Sequence, residues 1–317
     1  MEVTKKWKGL QLVTLTGLIR TLAFTTKPLD CLPYSGKKKI QFRNGSALDL
    51  TFPQFRTARD NFSLLKKYRI KQAGYDLFEA DFGHFTMTAS FKIICRVCQL
   101  ADFFEPWNYQ ISQKNESIFR IKGDGLELEG TLRMLETLFL GEYEADYRDK
   151  VVLDIGGFQG ESAVYFGLLG AKKVIVYEPF REYCRLIEKN VDLNNVNAEI
   201  HQSGIGSEDT ILALSVFAPV YGTEKKPNKE IVKITNITDI INQSKADIAK
   251  IDCEGAEIFL TTVPNEVLRK ISHYIIELHG LQVRKAVTSK FLEAGFKITK
   301  SKGCSISTVH FQLGSKQ

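Results

Sequence analysis

The residues best suited to chemistry fall in four short motifs in the second half of the chain. The first is Val151–Gly160, read as VVLDIGGFQG, with Asp154 followed by Gly156, Gly157 and Gly160. Glycines let a backbone turn sharply and approach a ligand closely, and Asp154 could attract a cationic or ammonium-bearing group. The spacing G-G-x-x-G with an acid before it differs from the G-x-G-x-x-G of dinucleotide sites. It favours a ligand with no phosphate to seat at a helix N-terminus, such as S-adenosylmethionine (SAM).

The second motif, VIVYEP, places Glu178 at the end of the next predicted strand. An acid about 20 residues after the glycines is positioned to accept hydrogen bonds from the two hydroxyls of a ribose. Alone, Glu178 could be a favourable charge at a helix N-terminus. Together the two motifs predict a nucleoside-type ligand bound by Asp154, the three glycines and Glu178.

The third and fourth motifs concentrate acids and one histidine. KIDCEGAE contains Asp252, Glu254 and Glu257, and IIELH contains Glu277 and His279. Crowded carboxylates favour a cation, a bound hydroxyl or acid–base work, although Asp252 and Glu254 could instead cap a helix. The ordinary pKa of histidine suits a general base. The predicted order of candidate bases is His279, Glu254 and then Asp252, with Asp252 also contacting the ligand and no metal assigned.

Alternating strands and helices must position these motifs after residue 150. This alternation predicts a mostly parallel sheet, whose carboxyl edge carries ligands. The predicted strands are 151–155, 173–177, 198–201, 248–252 and 273–278, with helices over 161–169 and 181–193. We also predict an inserted hairpin, 211–217 with 230–234, and a final antiparallel hairpin, 296–299 with 305–313.

The first half of the chain is predicted to be an α+β accessory region over residues 1–122, followed by a catalytic domain over 123–317. Its expected strands are 38–42, 48–52, 78–91 and 118–128, and its expected helices lie within 10–26 and over 62–73. A further helix is expected over 132–139, inside the second domain. The 10–26 segment is too short and too interrupted for a membrane span.

Charge and cysteine content constrain partners and location. The net charge is +6, and residues 1–71 carry 15 lysines and arginines against 4 acidic residues. This excess fits either an anionic partner or a solvated lysine-rich surface. The six cysteines form no spaced framework, which favours a reduced, cytoplasmic setting. Cys95 and Cys98 lack a second Cys/His pair, so two buried thiols are expected in place of a zinc site.

These motifs resemble the FkbM family of SAM-dependent methyltransferases over residues 150–296, about half the chain. The matching features are DIGGFQGESAVYF, VIVYEP, Asn190, Asn194, KIDCEGAE and IIELH. The resemblance implies a class I methyltransferase (Rossmann-like) fold, SAM as methyl donor, and O-methylation of hydroxyls on sugars or polyketide-like molecules. The chain departs from many class I enzymes after the third strand, where no acid or clear amide is set to hold adenine. Gln202 and Ser203 are the candidates for that contact.

The sequence thus predicts a SAM-dependent methyltransferase acting on a hydroxyl of a sugar, glycan or other small molecule. One alternative is an RNA methyltransferase that uses the basic N-terminal region, but Asp252-Cys253-Glu254 is unlike the Asn/Asp-Pro-Pro-Tyr of amino-group methylases. A second alternative is a SAM-binding regulator without catalysis. The extra carboxylates and His279 argue against it, because binding alone needs neither.

Overall fold

The computed structural model describes most of the chain, and these residues form two compact units. The described residues are 25, 33, 35–42, 47–60, 67–75, 77–83, 85–104, 109–114, 118–131, 142–215, 229–303 and 306–314. One unit comprises Met1–Ser112 with Lys122–Asp124, and the other comprises Gln113–Ile121 with Gly125–Gln317. The helices predicted within 10–26 and over 132–139 lie outside the described residues, apart from Thr25, which forms an isolated bridge with Phe42.

The described residues of the first unit form small antiparallel sheets and two helices. Its elements are β1 (Lys37–Gln41), β2 (Ala47–Thr51), α1 (Phe52–Asp60), β3 (Arg69–Gln72), β4 (Leu77–Asp81), β5 (Thr86–Ser90), α2 (Phe91–Phe104) and most of β6 (Gln110–Gln113). β1 pairs with β2, and β3, β4 and β5 form a meander. The alternation of buried Ile40, Leu48 and Leu50 with exposed neighbours explains the first hairpin.

Two expectations for this unit are corrected. The helix predicted over 62–73 cannot reach its end, because Arg69–Gln72 is strand β3, in which buried Ile70 alternates with exposed Arg69 and Lys71. The strand predicted over 78–91 is two strands joined by a turn. Cys95 and Cys98 lie on α2, where both side chains are buried. Burial raises the pKa of Cys95 to about 12, which opposes the thiolate that metal binding needs.

The second unit is built on a seven-stranded sheet. Its strands are β9 (Val151–Ile155), β10 (Lys173–Glu178), β11 (Ala198–Gln202), β15 (Ile248–Ile251), β16 (His273–His279), β17 (Phe296–Gly303) and β18 (Ile306–Leu313). Their spatial order is β11-β10-β9-β15-β16-β18-β17. The first five run parallel, whereas β18 is antiparallel to both of its neighbours. This order, with an inserted antiparallel last strand, is the class I methyltransferase fold, and it confirms the predicted fold class.

Helices connect the parallel strands, and a hydrophobic core forms where they pack against the sheet. These helices are α3 (Glu161–Leu168), α4 (Arg181–Leu193), α5 (Ile237–Ser244), a 3₁₀ helix (Ala256–Thr262), α6 (Asn265–Leu268) and α7 (Leu281–Glu293). The central strands β9, β15 and β16 are mostly apolar and almost fully buried, as expected for strands covered on both faces. Tyr274 on β16 packs its ring edge against Phe291 of α7 at 4.8 Å between centroids. Within the described residues, no helix has the length and apolar character needed to cross a bilayer.

A three-stranded sheet follows β11, with β14 (Lys229–Asn236) between β12 (Gly204–Gly206) and β13 (Thr210–Ser215). This sheet confirms the predicted inserted hairpin and lengthens its second strand. Sequence patterning missed α5 directly after β14, because an isoleucine-rich segment also suits a strand. Asn236 caps α5 by accepting the backbone N–H of Thr238.

Within the second unit, three side-chain amides from the glycine turn and the C-terminal part of α4 bind alternate residues along and just after β8 (Leu126–Gly130), the strand that follows β7 (Phe119–Gly123). Asn194 pairs with both backbone groups of Glu127, Asn190 does the same with Glu129, and Gln159 accepts the N–H of Thr131. Asn190 also donates to the carbonyl of Gln159 at 2.6 Å. The amides thus act as a substitute strand, which gives Asn190 and Asn194 a structural role.

Candidate functional site

A cavity of about 750 Å³ opens at the carboxyl ends of β9, β10, β15 and β16. The order of the sheet reverses between β9 and β15, and such a switch point is where open α/β sheets bind ligands. One part of the wall is apolar. Aromatic side chains and the three-stranded sheet of β12, β13 and β14 form it, and the residues are Phe158, Phe180, Tyr183, Ile205, Leu212, Leu214 and Ile234. Another part is acidic, with Glu142, Asp252, Glu254 and Glu277.

The glycines of the first motif allow other parts of the protein to pack closely against their backbone. Gly156 has a φ of 81°, and a Cβ there would lie 1.7 Å from the carbonyl oxygen of Asp252. At Gly160, which has a φ of 88°, a Cβ would lie 2.9 Å from Cα of Ile187, and at Gly157 it would lie 2.2 Å from Val176. Of the three glycines, Gly156 lines the cavity. The close approach that we predicted toward a ligand is therefore made first toward Asp252 after β15, toward β10 and toward α4.

Asp154 meets an ammonium group that belongs to the protein. Its side chain is fully buried, Oδ1 lies 3.1 Å from Nζ of Lys250, and Oδ2 accepts the Ser162 hydroxyl at 2.6 Å. Lys250 also donates to the carbonyl of Gly156 at 2.6 Å. The negative charge of Asp154 raises the pKa of Lys250 despite its burial. Asp154 is absent from the cavity wall, so the structure places it under the turn, where it holds Lys250 and the glycine backbone.

Glu178 lies on the cavity wall at the end of β10 and is 4% exposed. One carboxylate oxygen accepts the backbone N–H of Phe158, and the other accepts that of Phe180, each at 3.0 Å. Burial raises the pKa of Glu178 to about 7. Each oxygen keeps a lone pair for a further donor, so this carboxylate is fixed in position and still able to bind.

The two candidates for the adenine contact separate. Ser203 is buried on the cavity wall, and its hydroxyl bonds to the carbonyl oxygens of Gly204 and Lys233 and to the hydroxyl of Thr235. Gln202 is exposed, lies outside the cavity wall and donates to Glu230 at 3.3 Å. The structure therefore brings Ser203, and not Gln202, to the cavity.

His279 is held by a buried carboxylate behind the acidic wall. Its Nδ1 lies 3.2 Å from Oε1 of Glu257, and Glu257 also accepts the backbone N–H groups of Cys253 and Gly255. These donors lower the pKa of Glu257 despite its burial. The same contact with Glu257 raises the pKa of His279 to about 9, which favours the imidazolium form at neutral pH.

Three wall carboxylates surround the second nitrogen of His279. Nε2 lies 3.5 Å from Glu254, 3.5 Å from Glu277 and 3.9 Å from Asp252. Asp252 also receives the Tyr143 hydroxyl at 3.4 Å, and burial raises its pKa. Burial and the charge of Asp252 raise the pKa of Glu277 to about 7. His279 itself is outside the cavity wall.

The acidic group has the composition of a metal site. One ligand atom from each of Asp252, Glu277 and His279 lies within 4.8 Å of the others. A metal here would bind Nε2 of neutral His279, with Nδ1–H still bonded to Glu257. Without a metal, a protonated His279 supplies the positive charge of this cluster, and we assign no metal to it.

Sequence reasoning missed two residues with clear structural roles. Lys250 sits in register with Asp154 on the adjacent strand, and a charged residue inside a buried apolar strand signals a buried partner. Glu161 is the first residue of α3, lies on the cavity wall and is 4% exposed. Its only signal was an acid directly after the glycine turn.

Comparisons with known proteins agree with a methyltransferase fold. No protein-family model matches the chain, so membership of the FkbM family stays a prediction. A protein named Methyltransferase 1, from Beauveria bassiana (strain ARSEF 2860), is 25% identical in an alignment of 182 residues that covers 47% of this chain and 73% of that protein.

Several solved structures match parts of this chain at low sequence identity and low TM-score. A ribosomal protein L11 methylase from Lactobacillus delbrueckii subsp. bulgaricus is 17% identical, with a TM-score of 0.35 over 58% of this chain and 81% of that one. The Precorrin-6y C5,15-methyltransferase from Geobacter metallireducens GS-15 is 12% identical, with a TM-score of 0.38 over 57% and 88%. TrmK of M. capricolum, in complex with S-adenosyl-homocysteine (SAH), is 13% identical, with a TM-score of 0.37 over 56% and 69%. The fold assignment itself rests on the strand order described above.

Proposed function

We propose that the chain is a SAM-dependent methyltransferase that methylates a hydroxyl of a sugar, glycan or other small molecule. The observation that carries this proposal is a single cavity with two distinct ends. Glu178 and an apolar pocket form one end, and the carboxylates Asp252 and Glu277 form the other. The first end suits an adenosyl group and the second suits a hydroxyl that must lose a proton.

The adenosyl end combines a ribose acceptor with rings for a flat base. The free lone pairs of Glu178 would accept the two ribose hydroxyls. Phe158 and Tyr183 lie 4.8 Å apart between ring centroids, and Phe180 stands edge-on to Tyr183. These rings and Ser203 would contact adenine from one wall, which fits the apolar character of ligand pockets.

The helix that follows the glycine turn disfavours a dinucleotide. Pyrophosphates bind at helix N-termini, where backbone N–H groups and the helix dipole attract negative charge. Here the first helical residue is Glu161, whose carboxyl group is buried on the cavity wall. When ionised, this carboxyl group would repel a phosphate, whereas SAM carries none.

Glu277 is the residue that we propose as general base. A base must be able to accept a proton at working pH, and the raised pKa of His279 means that it already carries one. Glu277 lines the cavity, and its pKa of about 7 suits proton removal near neutrality. His279 then becomes a positioning residue, held by Glu257, and Asp252 and Glu254 are ranked below Glu277.

SAM and the protein would have different roles in methyl transfer. SAM supplies a methyl group activated by its sulfonium, so alignment of the reactants provides most of the catalysis. The protein orients the acceptor hydroxyl between Asp252 and Glu277 and takes its proton at the Glu277 carboxylate. Lys250 and Asp154 keep the Gly156 turn fixed beside this position.

Replacing Glu277 with glutamine is expected to lower kcat by about 10²–10⁴-fold and to leave SAH affinity within about threefold. In the unchanged protein, kcat at saturating SAM should rise as pH increases through about 7, because Glu277 must be ionised to act. Glu277→Gln should remove that rise. The exposed residue Glu266 provides the control, and Glu266→Gln should preserve both rate and pH profile. Normal turnover by Glu277→Gln would exclude Glu277 as the base.

The identity of the acceptor can be tested by methyl transfer from radiolabelled SAM. A cell extract would be divided into small molecules, glycans and RNA before incubation. Label in the small-molecule or glycan fraction is expected, because the acidic end of the cavity would repel a phosphate backbone. Label confined to RNA would favour the RNA alternative, and SAM binding without transfer to any fraction would favour the regulator.

A further inference from the structure

We propose that Glu161 binds the α-ammonium group of the amino-acid portion of SAM. This inference rests on the proposed function, because it assigns one part of that ligand. Glu161 follows Gly160 at the start of α3, faces the same cavity as Gly156, and is 4% exposed. It is therefore a carboxyl group that water scarcely reaches but that a ligand in the cavity can contact.

Asp154 was the expected partner for an ammonium group, but the structure shows that both of its carboxylate oxygens already contact groups of the protein. Lys250 lies 3.1 Å from one oxygen, and Ser162 donates to the other. Asp154 also lies outside the cavity wall. A ligand ammonium cannot reach it without displacing Lys250, so another carboxylate must take the charge.

The other wall carboxylates have partners that direct them elsewhere. Glu178 holds the backbone N–H groups of two residues at the ribose position. Asp252, Glu254 and Glu277 surround His279, and Glu142 accepts the hydroxyl of Thr308 at 2.5 Å. Among the wall acids of the described chain, Glu161 is the one beside the glycine turn and away from His279.

The protein compensates the charge of Glu161 only in part. Its carboxyl group is bonded by the backbone N–H groups of Gln159, at 3.3 Å, and of Glu161 itself, and the positive charge of Lys250 acts on it although Lys250 is paired with Asp154. Burial raises the pKa of Glu161 to about 8. A buried carboxylate without a cation is costly, and a ligand ammonium would supply that cation.

This arrangement links binding to proton release. The charged or titratable groups that act on Glu161 are Asp154 on β9, Lys250 on β15 and Tyr143 before β9. An ammonium ligand favours ionised Glu161, so its affinity should increase as pH rises toward about 8 and should fall again once the ligand's ammonium group loses its proton. A ligand without the ammonium should lack that contribution.

The test compares SAH with its deaminated analogue, in which hydrogen replaces the amino group, by calorimetry on the full chain. The unchanged protein should bind SAH about 10- to 100-fold more tightly than the analogue, as for a charge-assisted hydrogen bond. Glu161→Gln should reduce this preference to about threefold or less. It should bind the analogue with nearly unchanged affinity, which also shows that the variant is folded.

Glu182 provides a matched control, because it occupies the first turn of α4 and is exposed. Glu182→Gln should retain the full preference for SAH. The inference is overturned if Glu161→Gln keeps the preference, or if it loses affinity for both ligands equally while its melting temperature is unchanged. Failure of the unchanged protein to bind either ligand would instead refute the proposed function.

Discussion

Replacing Lys250 with methionine is expected to lower the free energy of unfolding by about 3–5 kcal/mol. The substitution leaves Asp154 buried with Ser162 as its remaining side-chain partner. It also removes the donor to the carbonyl of Gly156. Urea denaturation followed by circular dichroism measures the change, and the exposed Lys285 on α7 supplies the control. Lys285→Met should change stability by less than about 0.5 kcal/mol.

A double substitution separates the ion pair from the loss of packing. Asp154→Asn removes the charge and keeps an oxygen for Ser162, so Asp154→Asn combined with Lys250→Met should be more stable than Lys250→Met alone. A coupling energy of at least about 1 kcal/mol is expected for groups in direct contact. Additive effects of the two substitutions would show that Lys250 does not compensate the charge of Asp154.

Replacing Glu178 with alanine is expected to weaken SAH binding by at least about 100-fold. The substitution removes two charge-assisted hydrogen bonds to the ribose, each contributing about 1.5–3 kcal/mol, and it frees the backbone N–H groups of Phe158 and Phe180. Calorimetric titration with SAH measures the loss. Glu188→Ala, at an exposed position on α4, is the control. Retention of affinity within about fivefold by Glu178→Ala would contradict the ribose assignment.

The fold of the second unit could be predicted from sequence because its strands are short apolar runs between clear turns. Helix α4 spans Arg181–Leu193 as predicted, and β9 spans Val151–Ile155 as predicted. The first unit lacks such runs. β3 has a single buried residue, Ile70, between charged neighbours, and four residues are too few to show a period.

The candidate site was only partly predictable, because local motifs give positions and not partners. Glu178 could be placed at the end of its strand from the motif alone. The pairing of Asp154 with Lys250 requires knowledge that β9 and β15 are adjacent. The protonation of His279 depends on Glu257, 22 residues earlier in the chain. Electrostatic effects of this kind follow from tertiary contacts, which the sequence pattern does not specify.

Titration of the unchanged protein with SAH in a calorimeter tests the central claim most directly. Binding of SAH in the cavity between Glu178 and Glu277 is expected to release or absorb heat that saturates at one ligand per chain. Nicotinamide dinucleotides at the same concentration should give none, because Glu161 stands where their phosphates would bind. An absence of heat with SAH from a cooperatively folded sample would contradict the account.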